Sequence, residues 1–95
     1  MNNVSYSPLA QQDISDIWDY TVETWGLDQA DRYTDDIEAT CDHLASGTKR
    51  GREVDIRAGY LKYLVGKHFV FFRHADTGIH VIRILHQSMD TDLHL

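Results

Sequence analysis

Four histidines recur at intervals of six residues in the second half of the chain: His68, His74, His80 and His86. Histidine binds metal ions and titrates near neutral pH, so this spacing raises the possibility of a metal site. Residues six apart along one strand lie roughly 20 Å from each other, which is too far for one ion to bridge. Pairs on adjacent strands could still meet, but the chain has no cysteine pair and no zinc-type spacing. We therefore expect no metal and no cofactor.

Three further side chains are candidates for chemistry: Arg83, His86 and the single cysteine, Cys41. Arg83 could contact a carboxylate of a partner, or it could pair with one of the fifteen acidic side chains of its own chain. His86 could act as a general base, although a hydrogen-bonded histidine at a strand end is the simpler interpretation. Cys41 falls on the apolar stripe of a predicted helix, which favours a small core residue over a nucleophile.

The composition is that of one small folded domain. A chain of 95 residues leaves no room for a second domain, and a hydrophobic fraction of 42% supports one modest core. No signal peptide or membrane span is recognisable, and a lone cysteine cannot form an intramolecular disulfide, so we expect a cytoplasmic protein with no membrane partner. The formal net charge of −6 makes direct nucleic-acid binding unexpected, because proteins that grip a phosphate backbone usually carry excess Lys and Arg.

The first half of the chain has the pattern of two helices. Residues 7–8 are a favourable helix start, because serine caps free amides and proline fits the first helical position. Gly26 ends this helix at about Trp25, and Asp28 is expected to cap the next helix, which ends at residues 46–47. Two helices of about seventeen residues, joined by a short turn with a glycine, predict an antiparallel hairpin.

The apolar stripes of the two helices follow a spacing of three or four residues. The first stripe contains Ala10, Ile14, Ile17, Thr21 and Trp25, and the second contains Ala30, Tyr33, Ile37, Cys41 and Leu44. We expect both tryptophans, Trp18 and Trp25, to lie in the core.

The second half of the chain predicts an antiparallel sheet. Segments 60–65, 69–74 and 79–86 are rich in aromatic and β-branched residues, and residues 66–67 and 76–78 suit the turns between them. These three strands form a meander, to which a short strand at 4–6 could add, while residues 48–55 are expected to be a loop. The fold class is therefore α+β: a short N-terminal strand, a helical hairpin and a three-stranded antiparallel meander.

Strand alternation assigns the meander residues to two faces. On the last strand, one face is predicted to carry Val81, Arg83 and Leu85. The other face is predicted to carry Ile82, Ile84 and His86. Both faces of the sheet are then substantially apolar, and the hairpin can cover only one. We expect the uncovered face to bind another protein.

An ordered set of short motifs extends over nearly the whole chain, and no single motif is decisive by itself. They are Ser7-Pro8-Leu9-Ala10, Ile17-Trp18-Asp19-Tyr20, Trp25-Gly26, Ala30, Arg32-Tyr33, Gly51-Arg52, Asp55-Ile56-Arg57, Gly59-Tyr60, Val65-Gly66, His68, Phe71-Phe72-Arg73, Val81-Ile82-Arg83-Ile84-Leu85-His86 and Met89-Asp90. In this order the chain resembles the ParE branch of the ParE/RelE toxin superfamily.

The resemblance implies a toxin of a type II toxin–antitoxin system that inhibits DNA gyrase by protein binding and is held harmless by a ParD-like antitoxin. We expect the target to contact the sheet face and the C-terminal tail, at Arg73, Arg83, His86, Met89 and Asp90. We expect the antitoxin to contact Trp18, Tyr33, Arg50, Arg52, Arg57, Tyr63 and Phe72.

Two alternative functions stay open within this superfamily. A RelE-like enzyme cuts messenger RNA on the ribosome and needs cations at the phosphate with a group that moves a proton, for which Arg83 and His86 are the candidates. Lys49, Arg50 and Arg52 lie in an early loop, however, and no tyrosine follows Tyr63, so we expect no enzyme activity. The chain could also be a non-toxic regulator that only binds an antitoxin.

Overall fold

The helical hairpin packs on one face of a five-stranded sheet. The computed structural model describes residues 3–89 and 94–95. Its elements are β1 (Asn3–Tyr6), α1 (Pro8–Trp25), α2 (Leu27–Ser46), β2 (Arg52–Glu53), β3 (Leu61–Val65), β4 (His68–Ala75) and β5 (Gly78–His86). The strand order is β1-β5-β4-β3-β2, with β1 parallel to β5 and the other pairs antiparallel. The predicted α+β class, with its N-terminal strand, helical hairpin and meander, is confirmed.

The ends of the helices follow local chemistry. The Ser7 hydroxyl accepts a hydrogen bond from the amide of Ala10 at 3.0 Å, and Pro8 occupies the first turn of α1. Gly26, with φ of 94°, is the single residue between the two helices and precedes the first residue of α2. The prediction that Asp28 caps α2 is wrong, because so short a connection starts the helix earlier and leaves Asp28 in its first turn. There its negative charge still interacts favourably with the positive end of the helix dipole.

The core lies between the hairpin and the sheet. It is formed by Ala10, Ile17, Ile37, Cys41, Leu44, Val70, Phe72, Ile79, Val81 and Ile84. Cys41 is completely buried, and burial raises the pKa of its thiol to about 11, so the thiol stays protonated at neutral pH. Neither α1 nor α2 has the length and apolar character that a membrane crossing requires.

The sequence predicted a loop over residues 48–55, and this is wrong at two positions. Arg52 and Glu53 form the two-residue strand β2, which pairs with Lys62 and Leu61 of β3. A strand of two residues is too short for any alternation to show in the sequence.

A β-bulge changes which residues of β5 share a face. Phe72 lies opposite Val81 and Phe71 lies opposite Arg83, which leaves Ile82 as the extra residue. One extra residue reverses the alternation on either side of it. Val81 and Ile84 consequently both pack in the core, and the prediction that Val81 shares a face with Arg83 and Leu85 is wrong.

The outer face of the sheet is not open at its centre. Phe71 and Leu85 alternate with core residues and so point away from the helices, yet they are only 1% and 3% exposed. Exposed apolar surface on this face is found on β3, where Leu64 is 45% exposed. Next to it the Lys62 ammonium lies 4.7 Å from the centre of the Phe69 ring. The expectation of a broad uncovered apolar face is therefore wrong at its centre.

The helix α1 closes an edge of β5 that β1 leaves unpaired. The strand β1 pairs with β5 only from Gly78 to Val81. Beyond this point the Ser7 hydroxyl donates to the carbonyl of Ile82 at 2.6 Å, and the Asp13 carboxylate accepts from the amide of Ile84 at 2.9 Å. Backbone groups at a buried edge need such partners.

The same carboxylate holds the guanidinium of Arg83. Its two oxygens accept from Nε at 2.8 Å and from Nη2 at 2.9 Å. The side chains of Asp13 and Arg83 are 11% and 17% exposed, and this hydrogen bonding raises the pKa of Arg83 further above its ordinary value. A third guanidinium nitrogen, Nη1, donates to the carbonyl of His94 at 3.5 Å. Of the two roles considered for Arg83, the structure shows the pairing with an acidic side chain of its own chain.

Replacing Asp13 by alanine should lower the free energy of unfolding by about 2–3 kcal/mol, because it leaves both the Arg83 guanidinium and the Ile84 amide without their partner. Urea unfolding of the purified protein measures this change. The control is Asp19→Ala, an exposed carboxylate of the same helix, which should change stability by less than about 0.5 kcal/mol. Equal effects of the two substitutions would contradict the role given to Asp13.

Candidate functional site

An open groove lies where the second half of α1 meets the end of the β4–β5 pair. Two adjoining hollows of about 320 and 390 Å³ share Tyr20, His68 and His86 among their lining residues. We call this surface the α1 groove, and its principal lining residues are Asp16, Tyr20, Trp25, His68, His86 and Met89.

The groove exposes three large side chains, two of which are aromatic. Tyr20 is 67% exposed, Trp25 is 72% exposed and Met89 is 47% exposed. The prediction that Trp25 lies in the core is wrong: it is the last residue of α1, one turn beyond Thr21, which is the last buried position of that helix. Trp18 is half-buried instead, and its indole nitrogen donates to the Asp31 carboxylate at 2.9 Å, which ties α1 to α2.

Tyr33 and His68 form the floor of the groove. The Tyr33 hydroxyl donates to the carbonyl of Val65 and accepts from the amide of Lys67, both at 3.1 Å, and it shares a hydrogen bond of 2.6 Å with Nδ1 of His68. Gly66 allows this contact, since its φ of 57° favours glycine and a Cβ there would collide with the Tyr33 ring.

His68 is held in its neutral form. Burial, and secondly the nearby His86, lower the pKa of His68 to about 4, against a smaller opposing effect of Asp13. The rings of His68 and His86 meet edge to face, with their centres 5.2 Å apart. A neutral imidazole at this position adds a polar but uncharged wall to the groove.

His86 and Arg83 lie at positions of β5 that point to opposite faces of the sheet. Nδ1 of His86 lies 2.7 Å from the Ser88 hydroxyl and 3.1 Å from the Ser88 amide, as a hydrogen-bonded histidine at a strand end would. Positions three apart on a strand point to opposite faces, and His86 faces the groove while Arg83 is held by Asp13. A cation and a base that act on one phosphate must converge on it, and these two side chains do not.

The histidines do not gather into a metal site in the part of the chain that the structure describes, where no group of three His, Cys, Asp or Glu side chains could hold an ion. His68 and His86 are paired across β4 and β5, as cross-strand neighbours can be. His80 instead lies 2.7 Å from the Ser5 hydroxyl, and the His74 ring packs against Phe72.

A second surface surrounds the connection from α2 to β3. It carries four basic side chains, and we call it the basic loop: Lys49, Arg50, Arg52 and Arg57. The Lys49 ammonium lies 5.6 Å from the centre of the Tyr63 ring, and the three arginines are exposed. Adjacent hollows of about 310 and 370 Å³ lie between α2 and β3.

The residues expected to contact the antitoxin divide between these surfaces. Arg50, Arg52, Arg57 and Tyr63 lie at the basic loop, whereas Trp18 and Tyr33 lie on the hairpin and Tyr33 reaches the α1 groove. Phe72 is 1% exposed and lies in the core, beneath the hollow of about 310 Å³.

The residues expected to contact the target divide as well. His86 and Met89 line the α1 groove, while Arg73 is exposed on the outer face of β4 and Arg83 is bound to Asp13. The predicted role of Asp90 falls outside the described residues. Of the members that the structure describes, two therefore lie in one groove, and Tyr20 and Trp25 line the same groove.

Comparison with known proteins agrees with this fold. The family described as "ParE toxin of type II toxin-antitoxin system, parDE" matches residues 4–91. The chain belongs to the ParE toxin family. Toxin ParE1 of Mycobacterium tuberculosis is 43% identical over 91 residues, covering 94% of this chain and 93% of the relative. Toxin ParE1 of Caulobacter vibrioides is 38% identical over 90 residues, with the same coverage.

Two solved structures share the architecture. A chain of the chromosomal ParDE TA system from P. aeruginosa superimposes with a TM-score of 0.77 at 21% identity, covering 90% of this chain and 96% of that one. A chain of the E. coli DinJ–YafQ complex gives a TM-score of 0.60 at 9% identity, covering 93% and 96%. At these identities the likeness concerns the fold alone.

For this ParE family member, His68 should make stability depend on pH. The unfolded state takes up a proton at the ordinary pKa of 6.5 and the folded state only at about 4, so stability is full above 6.5 and is lost as the pH falls toward 4. Because solvent partly reaches the ring, the loss should be on the order of 1 kcal/mol rather than the full value of the shift.

Urea unfolding at pH 7.5 and pH 5 measures this dependence in the wild type and in His68→Gln, which should lose less stability on acidification. The control His74→Gln alters an exposed histidine of the same strand and should behave as the wild type. An unchanged pH dependence in His68→Gln would show that protonation of this ring does not oppose folding.

Proposed function

We propose that this chain is a toxin that inhibits DNA gyrase by binding it and that a ParD-like antitoxin neutralises it. The observation that carries the proposal is its membership of the ParE toxin family, with 38–43% identity to curated toxins over nearly the whole chain. The chain would act in the cytoplasm, where gyrase and its DNA are found.

The proposal of a protein-binding rather than catalytic mechanism is supported by the geometry of the sheet. Arg83 is occupied by Asp13, and His86 faces the opposite side. The surface that is free to act is instead a groove lined by exposed aromatic residues, Tyr20 and Trp25, which is typical of protein contacts.

An antitoxin partner is supported by the likeness to a chain of a ParDE TA system, and to a chain of the DinJ–YafQ complex. The basic loop offers Arg50, Arg52 and Arg57 to the carboxylates of such a partner. The hollows between α2 and β3, lined partly by Tyr63 and Leu64, offer room for apolar side chains of an amphipathic segment.

A supercoiling assay tests this function, using the purified protein, DNA gyrase, relaxed plasmid and ATP. The expected result is loss of supercoiling with trapped linear DNA, and recovery of supercoiling when the cognate antitoxin is added. Folded protein that leaves gyrase unaffected would contradict the proposal. Cleaved transcripts in poisoned cells would then favour the ribonuclease alternative, and harmless expression without antitoxin would favour the regulator.

A further inference from the structure

The α1 groove concentrates exposed apolar side chains that the core does not use. Tyr20, Trp25 and Met89 line it, and Leu27, two residues beyond Trp25, is 56% exposed. A single exposed aromatic residue is ordinary on a protein surface. Several around one groove indicate a site where another protein docks, because aromatic residues and methionine are enriched in the centres of protein interfaces.

The walls of the groove carry opposite electrostatic characters. The helix α1 has four carboxylates and no lysine or arginine, and α2 has six carboxylates and only Arg32. Among the described residues, Asp13 is the only carboxylate of the hairpin in an ion pair. Asp16 and Glu23 lie four residues before and three residues after Tyr20, so both flank it on one face of α1. Facing α1 across the groove are Lys67, His86 and the neutral His68 of the floor.

The charge of the hairpin distinguishes between the two proposed partners. An acidic antitoxin segment suits the basic loop and would be repelled by the carboxylates of α1. Among the described residues, the α1 groove shares only Gly66 with the hollows beside the basic loop. A segment that enters the groove should instead carry basic side chains toward α1 and an apolar side chain toward Tyr20 and Trp25.

We propose that the α1 groove is the target-binding surface of this toxin, and that the target inserts a segment with an apolar anchor flanked by lysine or arginine. This inference rests on the proposed function, in which the target is gyrase. His86 and Met89 were expected at the target from the sequence. They line one surface with Tyr20 and Trp25, which were not expected there from the sequence. The outer sheet face, with Phe71 and Leu85 buried, offers less apolar surface for this purpose.

The test compares Tyr20→Ala and Trp25→Ala with Leu9→Ala. Leu9 is also a large exposed residue of α1, 58% exposed, but lies about 24 Å from Trp25 along the helix. All three side chains are exposed, so the variants should fold, which unfolding curves check. Inhibition of supercoiling, binding to immobilised gyrase and binding to the antitoxin are measured for each. Loss of a central aromatic anchor, in Tyr20→Ala or Trp25→Ala, should weaken gyrase binding at least tenfold. Gyrase binding of Leu9→Ala, and antitoxin binding of all three variants, should stay within about twofold of the wild type.

A charge variant tests the second part of the inference. Asp16→Asn combined with Glu23→Gln keeps the shape of the α1 wall and removes two negative charges, so it should slow association with gyrase and reduce the dependence of binding on salt. The matched control is Asp35→Asn combined with Glu38→Gln, which removes the same charge from exposed positions of α2.

The outcomes separate the inference from the function on which it rests. If the wild type inhibits gyrase and the Tyr20 and Trp25 variants inhibit it equally, the groove is not the target surface although the function stands. If those variants lose the antitoxin and still inhibit gyrase, the groove belongs to the antitoxin and the inference is wrong. If folded wild type binds antitoxin and leaves gyrase unaffected, the proposed function fails and the inference fails with it.

Discussion

The Asp13 carboxylate fixes how the hairpin lies against the sheet. Beyond Val81, β1 no longer pairs with β5, and Asp13 completes that edge through the Ile84 amide while it neutralises Arg83. An unsatisfied amide and an unpaired guanidinium at a half-buried edge would both be costly, so this contact leaves α1 little freedom to shift. From Asp13, one to two further turns of α1 bring Asp16 and Tyr20 to His86 and Met89.

The same contact connects architecture with the proposed mode of action. Arg83, the cation that the sequence offered for a catalytic function, is held by Asp13 in a bidentate pair that joins α1 to β5. What the molecule presents instead are two surfaces of contrasting charge. One is the basic loop after α2, and the other is the α1 groove, with exposed aromatic residues beside the carboxylates of α1.

Much of this fold could be predicted from the sequence, because the relevant signals are local. The Ser7-Pro8 start, the glycines at 26 and 47 and the spacing of apolar residues determine the hairpin. The bulge at Ile82 could not be predicted from the sequence. Apolar residues occur on both faces of β5, so the sequence shows no break in an apolar–polar alternation that would reveal an extra residue. Nor could the exposure of Trp25, because periodicity shows which face of a helix is apolar but not where the sheet beneath it ends. Asp13 lay among other polar residues of α1, and only the free edge of β5 distinguishes it.

Site-specific photo-cross-linking tests most directly whether the molecule acts through the α1 groove. A photoreactive phenylalanine analogue replaces Trp25 in one protein and Leu9 in another, and each is irradiated with purified gyrase. If gyrase binds the α1 groove, a covalent adduct with a gyrase subunit should form from position 25 and none from position 9. A protein that still inhibits gyrase but cross-links from position 9, or from neither position, would contradict binding at this groove.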